Sequence, residues 1–152
     1  MNFKLLRRAM FAWWWLSRGL TLGVRVMVLD QAGQVYLVRH SYVPGWHLPG
    51  GGVERGEDAL EAVRRELVEE TGIKARGAFQ LHGLFHNRAY SSGDHVALFV
   101  LRDFEEGKRQ ASPFEIVDGG FFAIDALPEG TSAATLRRLE EVLHGTPASP
   151  LW

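Results

Sequence analysis

Cysteine is absent from the 152 residues. Its absence excludes disulfide cross-links, thiolate zinc sites and thiol nucleophiles, and it is compatible with a reducing cytoplasm. An excess of charge of either sign is missing too, because 17 Lys and Arg against 18 Asp and Glu leave a formal net charge of -1. Nucleic-acid binding usually needs a strong basic excess, so none is expected here. An anionic substrate would have to be met locally, by a cation and by individual arginines. Long apolar runs are also lacking. The longest near the start, residues 9–16, follows Lys4, Arg7 and Arg8, but it falls well short of the roughly 20 residues needed to cross a bilayer. No convincing leader cleavage pattern comes after it.

What is present is the composition of one folded domain, 46% hydrophobic and 23% charged, so disorder is excluded as the main state. Residues 1–20 read as an N-terminal amphipathic helix packed on a domain spanning 21–145, with an irregular tail over 146–152 that contains two prolines. Trp13, Trp14 and Trp15 in a row cannot all face one core. Packing within the subunit, a homodimer contact and a membrane surface are the three ways to place them, the last being the least favoured.

The chemistry concentrates in residues 48–73, LPGGGVERGEDALEAVRRELVEETGI. Pro49 and the glycines Gly50, Gly51 and Gly52 suit a tight loop. From Asp58 the residues favour helix up to Gly72, with Leu60, Val63 and Leu67 on one stripe as the core-facing side. Glu66, Glu69 and Glu70 fall beside that stripe, and carboxylates at i and i+4 repel one another by a few tenths of a kcal/mol. A solvated acidic face would account for three glutamates alone. A hard divalent cation, held by carboxylates, water and the phosphates of a substrate, would account for the repulsion as well.

The gaps are informative: Gly51, five residues, Glu57, seven residues, Arg65-Glu66-Leu67, one residue, Glu69-Glu70, one residue, Gly72-Ile73. That pattern resembles the full signature of the Nudix (MutT-like) hydrolases, with no fixed position departing from it. The resemblance implies an α/β fold, an α/β/α sandwich with a mixed β-sheet between helices. It also implies hydrolysis of a diphosphate bond in a nucleoside diphosphate linked to another group, with Mg²⁺ or Mn²⁺ as cofactor. Position by position, it suggests Glu69 and Glu70 as metal ligands, with the carbonyl of Gly50 or Gly51 adding a neutral oxygen. Glu66 is then a further ligand or the base that activates water. Arg65 could orient a carboxylate through a charge-assisted hydrogen bond, with Glu57 as its partner. The isopentenyl diphosphate isomerases share this fold but depend on a cysteine, so the absence of cysteine speaks against that branch. A Nudix-fold binding module or sensor without catalysis is the alternative, although such a protein would be expected to have lost metal carboxylates.

On either side of the signature, residues 24–29 read as a strand, Asp30 to Gly33 as a turn and residues 35–38 as the returning strand of a hairpin. Arg39 and His40 close that strand. Later strands are expected over 78–85, 95–104 and 114–124, and a helix capped by Thr131 or Ser132 presents Leu136, Leu139 and Leu143 on one face. Residues 102–110 read as a solvated charged turn. Glu115 matches a loop glutamate that supplies metal or base in some relatives. Arg39 and Arg88 are candidate phosphate contacts, and Trp46 and Tyr90 candidate stacking surfaces for a base. A tyrosine near the position of Tyr90 occurs in relatives that hydrolyse diadenosine polyphosphates, which leaves a nucleoside triphosphate or a dinucleoside polyphosphate as the substrates considered.

Overall fold

The computed structural model describes residues 7, 10, 11, 13, 19–111 and 114–152. Most of the expected N-terminal helix therefore lies outside the described residues. Arg7, Met10, Phe11 and Trp13 within it are helical and exposed; the packing, dimer and membrane alternatives turn on residues that are not described. Among the described residues no helix is long and apolar enough to cross a membrane.

From Thr21 onward the elements follow in the order β1 (Thr21–Val28), β2 (Val35–His40), α1 (Ala59–Thr71), β3 (Lys74–Ala75), β4 (Gln80–His86), β5 (Asp94–Leu101), β6 (Phe104–Glu105), β7 (Ile116–Phe122) and α2 (Ala133–His144). β5 lies between β1, to which it is parallel, and β4, to which it is antiparallel. β2 pairs antiparallel with β7, and β3 with β6. This is a mixed β arrangement between two helices, the α/β/α sandwich.

The period of two along a strand explains the layers. Val24, Val26 and Val28 of β1, Tyr36 and Val38 of β2, and Ala97, Phe99 and Leu101 of β5 join Ala62, Val63 and Leu67 of α1 in one core. Their neighbours point the other way: Met27 of β1, Val35 and Leu37 of β2, and Leu98 and Val100 of β5 form a second core with Leu139 of α2. Both faces are covered, which is why these strands read as near-continuous apolar runs.

The expected hairpin is corrected. The chain does turn at Asp30 to Gly33, where Gly33 N–H donates to Asp30 O at 3.1 Å, but beyond the Leu29–Val35 bridge β1 and β2 form no ladder and lie in separate sheets. One edge of β1 is taken by β5. The other edge receives the glycine loop: Val24 N–H donates to Gly51 O at 2.8 Å, Val26 N–H to Pro49 O at 2.9 Å, and Val53 N–H to Leu22 O at 2.9 Å. The loop is thus fixed to the centre of the fold by backbone hydrogen bonds.

The two helices are also rotated from the expected faces. Asp58 caps α1 in a full capping box with Glu61, and Gly72 closes it in the left-handed conformation. The buried arc contains Ala62, Val63, Leu67, Glu70 and Thr71, while Leu60 is exposed. An apolar stripe gives a period but not its centre, and here the centre has turned toward the glycine loop. In α2, Ser132 is the cap, and burial of Thr135, Arg138, Leu139 and Glu141 leaves Leu136 exposed. The charged segment after β5 is more ordered than a free turn: β6 forms there, and Gln110 and Ala111 donate their N–H groups to Glu69 O at the end of α1.

Candidate active site

The glycine loop and α1 are fitted to each other at atomic distance. Gly50 has φ +143°, and a Cβ there would fall 2.0 Å from Val24 O, so only glycine lets the loop lie against β1. At Gly51 a Cβ would come within 2.3 Å of Glu66 Oε1. At Gly51 the missing side chain is the space into which the Glu66 carboxylate projects.

Glu70 is buried, and its hydrogen bond among the described residues comes from Gly50 N–H, at 2.8 Å to Oε2. Burial pushes its pKa up to about 7, against the opposing pull of the Gly50 N–H and the Arg25 charge, with Glu66 and Glu115 adding like charge. Glu66 is also raised, chiefly by burial, although Arg65 draws it down. Beside Glu70 stands His40, buried, with Nδ1 3.7 Å from Glu70 Oε1 and neither ring nitrogen hydrogen-bonded. Burial first, then the charges of Arg25 and His47, hold it down to about 4, so the imidazole is neutral at pH 7.

Arg65 organises the outer side. Its Nε and Nη2 donate to the two oxygens of Glu57 at 2.9 and 3.0 Å, its Nη1 to Glu66 Oε1 at 2.7 Å, and its Nη2 also to Gly52 O at 3.1 Å. One guanidinium thus ties the helix to the loop and to the residue that precedes the helix. The bond from Arg65 depresses the pKa of Glu57. Two parallel bonds between Arg and a carboxylate fix orientation as well as distance.

Other expected site residues are placed apart. Glu69 is exposed, 3.7 Å from Arg65. Glu115 is exposed, its carbonyl accepting from Ser41 N–H at 3.0 Å, yet its charge is felt by Glu70. The carbonyls of Gly50 and Gly51 already accept bonds, from Arg25 Nη1 at 2.6 Å and from Val24 N–H. Arg39 pairs with Asp118 at 3.8 Å and lies over Trp46, which packs edge-on against Phe122 in the second core. Arg88 is exposed in the turn after β4. Of the four proposed substrate contacts, Tyr90 lines the cavity beside the glycine loop. Among the described residues no three acidic or histidine side chains converge as a metal site. Without a bound ion, Arg65 holds Glu66, Gly50 holds Glu70, and Glu69 lies exposed beside Arg65.

That cavity, of about 480 Å³, is bordered by Gly51 and Gly52 on one side and by Asn87, Tyr90 and Trp152 on another, with Arg25 and His40 between. Its size falls in the range of small-molecule sites. Arg25, Asn87 and Trp152 were not among the expected contacts. A charge inside an otherwise apolar run was the available signal for Arg25; nothing local marks Trp152.

A NUDIX domain model matches residues 19–142. The chain belongs to the NUDIX family. Members of this family generally use a divalent metal. Among curated relatives of this NUDIX chain, the RNA pyrophosphohydrolase of Brucella ovis is 42% identical over 122 residues, covering 72% of this chain and 67% of that one. Three other curated relatives are matched over 50%, 35% and 32% of their length, so the chain spans half of them or less. The crystal structure of a MutT NUDIX hydrolase from Burkholderia pseudomallei superimposes with a TM-score of 0.70 at 27% identity, covering 82% of this chain and 98% of that one. A MutT protein from Bacillus halodurans gives 0.65 at 28%, with 82% and 83% covered.

The residues present fit a divalent cation by their chemistry. Carboxylate oxygens are hard ligands. Glu70 is a buried carboxylate with one hydrogen bond and like charges nearby, and the Glu66 carboxylate lies against Gly51, where a side chain would collide with it.

Proposed function

We propose that this chain hydrolyses a phosphoanhydride bond in a nucleoside diphosphate linked to a further group, with a nucleoside triphosphate or dinucleoside polyphosphate as the substrate class and Mg²⁺ or Mn²⁺ as cofactor. The observation that carries the proposal is the apposition of Glu66 and Glu70 to a glycine loop that borders a nucleotide-sized cavity.

Glu66, Glu69 and Glu70 would hold the metal, with the second lone pair of a Gly50 or Gly51 carbonyl and with Glu115 from the loop before β7. The cation supplies neutralisation of phosphate charge and polarisation of a bound water when it is present. Phosphoanhydride hydrolysis asks mainly for positioning and charge stabilisation. Gly50 N–H holds one oxygen of Glu70 in a fixed direction. Arg65 does the same for Glu66 Oε1, and Glu57 in turn fixes the plane of Arg65. With Oε1 so engaged, Glu66 Oε2 is the atom left to bind the cation or to accept a proton from the attacking water. Arg25 places positive charge on the cavity wall, where a phosphate would enter.

Binding without turnover is the second reading, favoured by the partners that Glu66 and Glu70 already have in Arg65 and Gly50. Cleavage of a panel of nucleotides, read as the appearance of a nucleoside monophosphate or the other split product, with Mg²⁺ or Mn²⁺ and again with EDTA, separates the two. The panel comprises 8-oxo and ordinary dNTPs, ADP-ribose, nucleotide sugars and diadenosine polyphosphates, and the Brucella ovis relative adds a triphosphorylated RNA. Metal-dependent cleavage supports hydrolysis; binding with no cleavage of any member leaves the module.

A further inference from the structure

Residues 146–152 form no helix or strand, yet the second half of the segment is fixed at nearly every polar backbone group. Ser149 N–H donates to Glu141 Oε1 at 3.1 Å, and His86 N–H donates to Pro150 O at 2.9 Å. Arg138 Nη1 donates to Leu151 O at 3.0 Å, Trp152 N–H to His86 O at 3.1 Å, and Arg137 Nη2 to Trp152 O at 2.6 Å. Leu151 thereby makes a parallel bridge to His86. The segment is a strap along the edge of β4 not taken by β5.

The strap delivers Trp152 to the cavity wall. Phe85 meets its indole edge-on at 5.7 Å, and the guanidinium of the fully buried Arg138 lies 5.6 Å from the ring. These contacts hold the ring from the core side, while half-burial leaves part of it accessible. Strap, β4, β5, β1 and glycine loop follow one another across the sheet through the Leu151–His86, His86–His95, Leu22–His95 and Gly23–Gly52 pairings. Four strand spacings give about 19 Å between the two backbones at either side of the cavity. A substrate with phosphates at the glycine loop has its other end directed toward the indole.

We propose that Trp152 is a specificity-determining residue, the aromatic wall on which the nucleobase of the substrate stacks. The inference rests on the hydrolase reading for the position of the phosphates. An indole face accepts a flat aromatic base with little regard to its identity. Asn87 in the same wall commits Nδ2 to Asp94 at 2.7 Å, which leaves its Oδ1 as an acceptor for an amino group on that base.

The test compares a nucleoside triphosphate with ribose 5′-triphosphate, which lacks the base, on wild type, Trp152→Ala and Trp152→Phe. Calorimetric binding of a nucleoside monophosphate and the thermal midpoint are measured on the same samples. Trp152→Ala is expected to raise KM for the nucleotide, and Kd for the monophosphate, about tenfold. The base-free substrate should shift much less, and Trp152→Phe should recover most of the loss. Equal losses on both substrates, or a fall in midpoint and kcat with nucleotide KM and monophosphate Kd unaltered, would overturn the inference and make Trp152 a packing residue. Monophosphate binding that depends on Trp152 in a protein that cleaves no nucleotide of the panel would sink the hydrolase reading alone.

Discussion

Two glutamates are buried among the described residues, one on each helix of the sandwich, and they are treated in opposite ways. Glu70 on α1 is 3% exposed and Glu141 on α2 is 7% exposed. Glu141 accepts from the buried Arg138, from His82 Nε2 at 3.0 Å and from Ser149 N–H at 3.1 Å. Burial pushes its pKa up, but these partners outweigh burial and the net shift is downward. Glu70 has one backbone N–H, and its pKa goes up to about 7. Burial alone therefore does not distinguish structure from function; the completeness of compensation does. The charge on Glu141 is matched within the fold and ties α2 to β4 and to the strap. Glu70 is compensated less fully, by the Gly50 N–H and the charge of Arg25, and on the proposed function a cation would complete it.

Replacing Glu70 by Gln sharpens the contrast most. The amide keeps the shape and can still accept from Gly50, so the protein should fold. Turnover should fall by on the order of 10² or more, the scale of a positioned carboxylate. Steady-state kinetics with saturating Mg²⁺ check this, and turnover within about twofold of wild type would remove Glu70 from the site. Replacing Glu141 by Ala should do the converse. It strands Arg138 in the core, and breaking a buried pair in this way costs about 3–5 kcal/mol, to be read by urea denaturation. A loss of turnover in the folded Glu141→Ala protein as deep as that of Glu70→Gln would erase the distinction between the two helices. The smallest of these effects belongs to Arg65→Lys. Lysine keeps the charge but cannot make the two-point contact with Glu57 while holding Glu66. Loss of an orienting partner should lower kcat on the order of tenfold, with the midpoint of unfolding little moved.

Much of the α1 side was legible in the sequence. The glycines, Glu57, Arg65, Glu66 and Glu70 lie within one short stretch, where spacing fixes geometry, and the Arg65 contact with Glu57 is a local one. What was not legible depends on pairings between distant residues. The partner of β1 is β5, about 70 residues away, so the turn at Asp30 to Gly33 has the local marks of a hairpin although its strands separate. Trp152 reaches the cavity because its N–H bonds to His86, 66 positions earlier, and a tryptophan in an irregular segment carries no mark of that. The stripes that contain Leu60 and Leu136 give the period of a helix; which side of each stripe is buried is set by the neighbours. Arg39, near the glycine loop, and Trp46, an aromatic ring, are candidate substrate contacts by type and place; that Asp118 and Phe122 on β7 engage them is not visible locally.

The central claim is that Glu70 carries a charge that a divalent cation completes, and the pH dependence of stability tests it most directly. A carboxyl whose pKa is raised on folding contributes stability that is present below its unfolded value, near 4.3, and lost as pH rises through about 7. The difference in unfolding free energy between metal-free wild type and Glu70→Gln should therefore move against wild type from pH 5 to pH 8. Mn²⁺ at pH 8 should restore it, raising the midpoint of wild type well above any rise in Glu70→Gln. Equal stabilisation of both proteins by Mn²⁺, with parallel pH profiles in its absence, would contradict the account.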